Sequence, residues 1–272
     1  MIRPITFEFL ISTMNRSDFG FLDKMFSHFD LNEIHILIIN QTSNDKILKS
    51  NKDNIRVVNV YEKGLSKSRN LAIQQARGKI CFIADDDVKY LPEAIDVVKK
   101  AYQDHPDAAL ISFQFLRENY ETCKIYHKES GYQHHLLQKQ ALTSFEMCIN
   151  LNLVKSENVQ FNTCFGLGAH FKSGEEGVFR DDLVRAGLKV AYVSKPTVIH
   201  YGKTSVGAQG YKKYTQALTA TKYLQYKNLI YLWIIRYIYI LLNRKVIKFS
   251  QILQIWTYGV TAVQDYKKLC SK

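Results

Sequence analysis

Three consecutive carboxylates, Asp85-Asp86-Asp87, follow directly on the apolar run Lys79–Ala84 (KICFIA). Like charges side by side repel. A chain has little reason to place them at the mouth of a buried strand unless a cation meets them there. A short run that is apolar along its length reads as a strand covered on both faces, as in parallel sheets. The residues before it suit that setting. Gly64 allows a tight turn, Ser66 reads as an N-cap, Ser66–Ala76 reads as a helix, and Gly78 ends it.

The same alternation runs through the N-terminal half. Ile5–Thr13, Ile34–Ile39 and Ile55–Tyr61 read as strands, and Asp18–Phe29 and Leu91–Tyr102 carry apolar residues at helical spacing. Strands alternating with helices imply βαβ units and an α/β fold with a mostly parallel sheet flanked by helices. Ligands bind beyond the carboxyl ends of such strands, where Thr13, Asn40, Gly64 and Asp85–Asp87 all fall. Ala108–Phe113 reads as a further strand. Gln114–Phe145 reads as a polar excursion over the site, with His127, His134 and His135 as surface or acceptor-loop residues. Gln160–Gly177 reads as a glycine-rich loop, Glu175–Ala186 as a helix, and Leu188–Val193 and Thr197–Tyr201 as two short strands. From Tyr211 onward the chain reads as helices, with Gly259 the one strong breaker.

Charge divides the chain unevenly. Net charge is +12, and from Tyr201 onward there are 12 lysines and arginines against Asp265 alone. That excess suggests an anionic partner, membrane surface or nucleic acid. No nucleic-acid motif accompanies it, so nucleic acid is set aside. Leu229–Leu242 is apolar nearly all round, with Tyr231, Trp233, Tyr237 and Tyr239, and is interrupted by Arg236; Lys227, Arg244, Lys245 and Lys248 lie beside it. This suits helices lying in the interface of an anionic membrane, or a helix packed on the rest of the protein with a basic outer face. No stretch reaches the roughly 18 uncharged apolar residues of a spanning helix, and the N-terminus does not read as a signal peptide. Cys81, Cys123, Cys148, Cys164 and Cys270 are scattered without a CxxC pair. They argue against a disulfide framework or structural zinc and fit a reducing cytosol. A cytoplasmic protein is expected, at most peripheral on the inner face of the membrane.

Two carboxylates spaced by one residue supply hard oxygen ligands for Mg²⁺ or Mn²⁺ and leave positions open for phosphate oxygens. An isolated run of three aspartates is more often a solvated turn; its place after a buried strand favours the metal. Lys67 and Arg69 are set to meet phosphate or base, although alone they would read as exposed residues of a capped helix. Glu175-Glu176 stand at a loop–helix junction, where a carboxylate serves as a general base or merely stabilises the helix N-terminus. His200, on a short strand, is more often structural than a ligand.

These residues carry a resemblance. GLSKSRNLAIQQARGKICFIADDDV, from Gly64, resembles the core signature of the family 2 glycosyltransferases with the GT-A fold: Gly-x-Ser/Ala-x-x-Arg-Asn, a helix ending near Gly, an apolar strand and an Asp-rich metal motif. ISTMNR, from Ile11, resembles the family's first nucleotide-binding strand and turn. FGLGAHFKSGEEGVFRDDLVRAGLKVAYVSKPTVIHY, from Phe165, resembles its second half, a Gly-Glu-Asp/Glu motif followed by a helix, a strand and a late His.

The resemblance implies a Rossmann-like GT-A catalytic domain over residues 1–202, with a nucleotide-sugar-binding half (1–113) and an acceptor-side half (114–202). A basic, aromatic-rich helical extension covers 203–272. It implies inverting transfer from a nucleotide-diphosphate donor, a UDP-sugar, to a saccharide or lipid-linked saccharide hydroxyl in surface polysaccharide or capsule assembly. Thr13 and Arg16 would lie near the base. Asn40 stands where the family usually has Asp at the nucleotide. Arg69 would approach the base or diphosphate, and Asp86 the ribose or sugar. Asp85 and Asp87 would form the D-x-D pair, with Asp87 the direct ligand of Mn²⁺ or Mg²⁺ and His200 close to the metal or diphosphate. Glu176 would be the catalytic base, with Glu175 in reserve. A nucleotidyltransferase would carry a glycine-rich basic loop where this chain has Met14-Asn15-Arg16-Ser17. A catalytically inactive binding or scaffold protein would have no need of Asp85, Asp87 and Glu176.

Overall fold

A computed structural model describes residues 7–43, 46–122, 124–133, 141–201 and 210–270. His134, His135 and Cys123 lie outside the described residues. The apolar runs form strands β1 (Phe7–Met14), β2 (Ile36–Gln41), β3 (Ile55–Val60) and β4 (Ile80–Asp85), parallel and in spatial order β3-β2-β1-β4. Helices α1 (Gly20–Met25) and α2 (Leu65–Gln75) lie along the connections, and α3 (Ala94–Asp104) follows β4. Successive side chains of a strand point to opposite faces, which explains why the runs are apolar throughout. Phe9, Ile11, Ile36 and Ile38 pack with Leu22 and Met25 of α1 and Val98 and Ala101 of α3. Leu10, Leu37 and Ile39 pack on the other face with Ala72 and Ile73 of α2. The expected helix Asp18–Phe29 is cut to six residues. Asp18 Oδ1 accepts from the Gly20 N–H at 2.9 Å, and the backbone leaves helical geometry at Phe26.

The rest of the sheet is mixed. Strands β5 (Val88–Tyr90), β6 (Ala108–Arg117), β7 (Gly131–Tyr132), β8 (Met147–Asn150) and β9 (Lys189–His200) continue the order as β4-β8-β6-β9-β5, with β7 also on β9. Strand β8 is antiparallel to both neighbours and meets β4 only from Ile80 to Phe82. The chain therefore leaves the end of β4 at Asp85, turns through Asp86-Asp87, and rejoins the sheet as β5 against the end of β9, with Val88 opposite His200. This path, invisible in the sequence, brings the late histidine to the acid turn. The two short strands expected over residues 188–201 are one twelve-residue strand. Pro196 is accommodated because the β6–β9 register shifts on both sides of Gln114, its partner. Helices α4 (Leu151–Ser156) and α5 (Glu175–Arg185) complete the flanking layer with Val154, Phe179 and Leu183.

The chain divides into two compact units. The first, Met1–Lys63, Lys67–Phe161 and Phe179–Gly202, holds the sheet. The second comprises Gly64–Ser66, Asn162–Val178 and Lys203–Lys272. In it, Phe165, Phe171 and Val178 pack with Ala217 and Ala220 of α6 (Gly210–Tyr226). Helix α7 (Ile230–Asn243) buries Ile230, Ile234 and Ile238 against Ile255 and Val263 of α8 (Ile252–Cys270). Gly259, expected to break the helix, lies within α8. A Cβ there would sit 2.9 Å from Ile234 Cδ1, so the glycine permits close packing. The interruptions fall instead near Lys227 and Lys245, non-glycine residues at φ +48° and +54°. Among the described residues no helix is long and apolar enough to cross a membrane. Cys81 and Cys148 are buried thiols, whereas Cys164 is disulfide-bonded, against the expectation of reduced cysteines throughout.

Candidate active site

The corner at the carboxyl ends of β1, β2 and β4 gives each of the three acids a different partner. Asp86 is held from β1 and the turn after it. Its Oδ2 accepts from Thr13 Oγ1 at 2.5 Å and from Arg16 Nε and Nη2 at 2.8 and 2.7 Å. The Arg16 guanidinium also lies 5.0 Å from the Phe21 ring centroid, a cation–π contact. Asn40 is fully buried on β2 and shapes the same turn. Its Oδ1 accepts from the Arg16 N–H at 3.1 Å, and its Nδ2 donates to the Arg16 carbonyl and to Asn59 Oδ1, both at 2.9 Å. An aspartate has no donor for the last two bonds, which gives the asparagine a physical role where the resemblance leads one to expect Asp.

Asp85, the last residue of β4, takes Arg69 Nη2 at 3.1 Å on one oxygen and Ser144 Oγ at 2.6 Å on the other. Arg69 is 2% exposed, in the first buried turn of α2, with Phe161 beside it at 5.5 Å. A charge so buried requires a counter-charge, and the carboxylate supplies it. Ser68 Oγ donates to Ser12 Oγ at 2.9 Å, pinning α2 to β1. Beneath the corner, burial pushes the Tyr90 hydroxyl well above its usual pKa, with Cys148 and Asp85 adding to the effect.

Asp87 differs from its neighbours. Its side chain is 53% exposed, and its Oδ2 lies 3.2 Å from Nε2 of the buried His200. The imidazole is stacked on Phe145, with centroids 4.8 Å apart and planes 13° from parallel. Asp87 and His200 offer one oxygen and one nitrogen side by side, and each Asp85 oxygen keeps a lone pair beyond the bond described. Among the described residues no group of three or more His, Cys, Asp or Glu is gathered for a metal. Carboxylate oxygen and imidazole nitrogen are nonetheless ligand types that a divalent cation accepts.

The Glu175-Glu176 pair belongs to the second unit. Gly174, at φ +99°, turns the chain into α5 where a Cβ would strike Thr221 Cγ2 at 2.6 Å. Glu175 is buried and Glu176 half-buried. A Cβ on Gly166 (φ +100°) would lie 3.1 Å from both the Glu175 carboxyl carbon and Ser66 Oγ, so this glycine makes room for the carboxylate. Ser66 is not an N-cap. Helix α2 already starts at Leu65, and the Ser66 hydroxyl donates to the Phe165 carbonyl at 2.6 Å. Lys67 is exposed on α2 and paired with Glu62.

Nothing in the sequence marks Ser144 or Phe145 as part of the corner. Ser144 is 59 positions from Asp85, and the one local signal, Thr143-x-x-Glu146, denotes a helical turn and not a site. In the excursion after β6, a cleft of about 580 Å3 is lined by Gln114, Thr122, Lys124, Tyr126, Lys128 and Ser194, among others.

The family model described as glycosyl transferase family 2 matches residues 10–171. The chain belongs to this family. The matched span takes in Thr13, Arg16, Asn40, Arg69 and Asp85–Asp87 and ends before Glu175. This glycosyltransferase is similar in structure to S. aureus TarS 1-349, at 15% identity and TM-score 0.57, over 97% of this chain and 72% of that one. The same TarS fragment in complex with UDP gives 16% and 0.56 over the same shares. In complex with UDP-GlcNAc it gives 16% and 0.58 over 97% and 73%. At such identity the likeness shows the shared fold. No curated protein matches the glycosyltransferase in sequence.

Proposed function

We propose that this family 2 glycosyltransferase moves a sugar, with inversion, from a UDP-sugar to a hydroxyl of a saccharide or lipid-linked saccharide in surface polysaccharide or capsule synthesis. Residues 1–202 are the proposed catalytic domain. The observation that carries the reading is the acid turn. Asp85 and Asp86 are committed to buried or stacked arginines, while Asp87 stands half-exposed beside His200. The TarS complexes with UDP and UDP-GlcNAc support uracil as the base of the donor.

In this reading Thr13, Arg16 and Asn40 form the base side of the donor pocket, and Arg69, Asp85 and Asp86 the ribose and diphosphate side. Asp87, Asp85 and His200 would hold Mn²⁺ or Mg²⁺. Bound there, such an ion neutralises the charge developing on the departing diphosphate. Glu176, with Glu175 as the alternative, takes the proton from the acceptor hydroxyl. That oxygen forms its bond to the anomeric carbon as the bond to the diphosphate oxygen breaks, which inverts the centre. The cleft lined by Gln114 and Lys124 supports an acceptor region in the excursion after β6.

Helices α7 and α8 are proposed to rest on an anionic membrane surface at the cytoplasmic face. Helix α7 buries Ile230, Ile234 and Ile238 yet exposes Leu232, Ile235 and Tyr239 on its other side. Internal packing accounts for one apolar face and not for two. Exposed Lys227, Arg236, Arg244, Lys245 and Lys248 surround the second face, the pattern of interfacial helices.

Thermal shift against UDP-, GDP- and dTDP-sugars, with and without Mn²⁺, tests the donor assignment, because a ligand that binds the native state stabilises it by mass action. Stabilisation by a UDP-sugar that grows with Mn²⁺ is expected. Stabilisation by GDP- or dTDP-sugars alone would overturn the choice of base.

A further inference from the structure

The corner leaves one buried carboxylate without a role. Glu146 ends a 3₁₀ turn, Ser144–Glu146, just ahead of β8, and is 0% exposed. Capping such a turn requires its carboxylate to accept from the Thr143 backbone N–H. It does so at 2.8 Å, and also accepts from Thr143 Oγ1 at 2.7 Å. Two further donors converge on it, Lys124 Nζ and Tyr126 OH, each at 2.6 Å. The Tyr126 oxygen accepts in turn from the Phe115 N–H at 3.0 Å, fastening the cluster to β6. Burying a carboxylate and an ammonium together is costly unless the geometry is well satisfied. A three-residue turn does not need that expenditure in order to be capped.

The turn holds both ends of the acid run. Ser144 Oγ donates to Asp85 Oδ2, which fixes the rotation of the first carboxylate. The Phe145 ring lies against the His200 imidazole and sets its plane, and with it the direction of Nε2 towards the third acid, Asp87. Phe115 meets Phe145 edge-on at 5.0 Å, so the stacked ring has a wall behind it. Three successive side chains thus orient Asp85, orient His200 and lock the turn.

We propose that Glu146 is a positioning residue for the donor corner, acting through Ser144 on Asp85 and through Phe145 on His200. The proposal rests on the reading of Asp85–Asp87 as the donor and metal site. Loosening the supports of metal-binding side chains costs about 10- to 100-fold in affinity or activity, and that is the size of effect expected here.

The test is calorimetric titration of UDP with Mn²⁺ into wild type, Glu146→Gln, Ser144→Ala and Ser144→Thr, with circular dichroism and thermal melts alongside. Glu146→Gln is expected to stay folded and to bind UDP with Mn²⁺ about tenfold or more weakly. Ser144→Ala, which keeps all four donors on Glu146, is expected to weaken binding in the same direction. Ser144→Thr, which keeps the hydroxyl, is expected to stay near wild type. If Glu146→Gln loses its cooperative melt, Ser144→Ala decides alone. Wild-type affinity in the folded variants overturns the proposal, whatever the change in Tm. Absence of UDP binding by wild type overturns the donor reading itself, and the positioning role with it.

Discussion

The two units handle charge in opposite ways. In the first, acids inside or at the edge of the sheet are matched with cations: Asp85 with Arg69, Asp86 with Arg16, Glu8 with Arg56, Glu146 with Lys124. In the second, the stretch from Lys227 to Gln254 contains Lys227, Arg236, Arg244, Lys245 and Lys248 and no acid. Its cations stand in solvent beside exposed Leu232, Ile235 and Phe249. Matched charges hold the side chains of the corner in place, and preorganised groups of that kind would suit the proposed diphosphate site. Exposed charges around an apolar strip form the kind of surface that an anionic membrane interface would cover. On the proposed reading, that difference would put donor binding in the first unit and attachment in the second.

The sharpest challenge to that division is Glu176, because it places a reacting group in the second unit. Glu176→Gln should lower kcat by about 10²- to 10⁴-fold and leave UDP affinity near wild type, as measured by initial rates and by titration. If Glu175→Gln shows this pattern instead, the base is the buried acid next to Gly166. If neither does, the second unit supplies no base and the division becomes stricter.

The attachment surface comes next. Leu232→Glu with Ile235→Glu should reduce binding to anionic vesicles at least about tenfold in a sedimentation assay. Each buried leucine-sized side chain contributes about 1.5–3 kcal/mol. Both side chains are more than half exposed, so Tm and the kcat for a short soluble acceptor should barely move. Equal binding before and after substitution would remove the membrane from the account. The smallest effect lies inside the second unit. Gly259→Ala gains helix propensity of about 1 kcal/mol, but its methyl would meet three Ile234 atoms at 2.9–3.3 Å. Overpacking of about 1–3 kcal/mol should leave a modest net loss in a thermal melt. A gain would mean that α7 and α8 pack more loosely than described.

The parts of the fold that were legible in the sequence are those where one physical requirement dominates. Strands β1, β2 and β4 are covered on both faces, so their apolar runs announced them, and Asp85–Asp87 announced the corner. Strand β8 was not legible. Four residues, Met147–Asn150, bury completely between β4 and β6 without enough length to show a pattern. Its insertion is what splits β4 from β5 and carries the acid turn to His200. Pro196 disguised the continuity of β9 because the compensating register shift lies with Gln114 on another strand. The helix interruptions near Lys227 and Lys245 carry no glycine or proline to mark them. Within the site, residue types were legible and partners were not. That Ser144 meets Asp85, or that Asn40 holds the Arg16 backbone, depends on tertiary proximity that no local spacing encodes.

If the acid turn is the donor site of a metal-assisted glycosyl transfer, Asp87 is the side chain whose loss should be felt most. The direct measurement is release of UDP from a UDP-sugar by wild type and by Asp87→Ala, across a Mn²⁺ titration. Wild type should release UDP with a rate that rises and saturates with Mn²⁺, and Asp87→Ala should fall by about 10²-fold or more at every concentration. Equal rates in the two proteins, or release by wild type that ignores Mn²⁺, would mean that the acid turn is not a metal-assisted donor site.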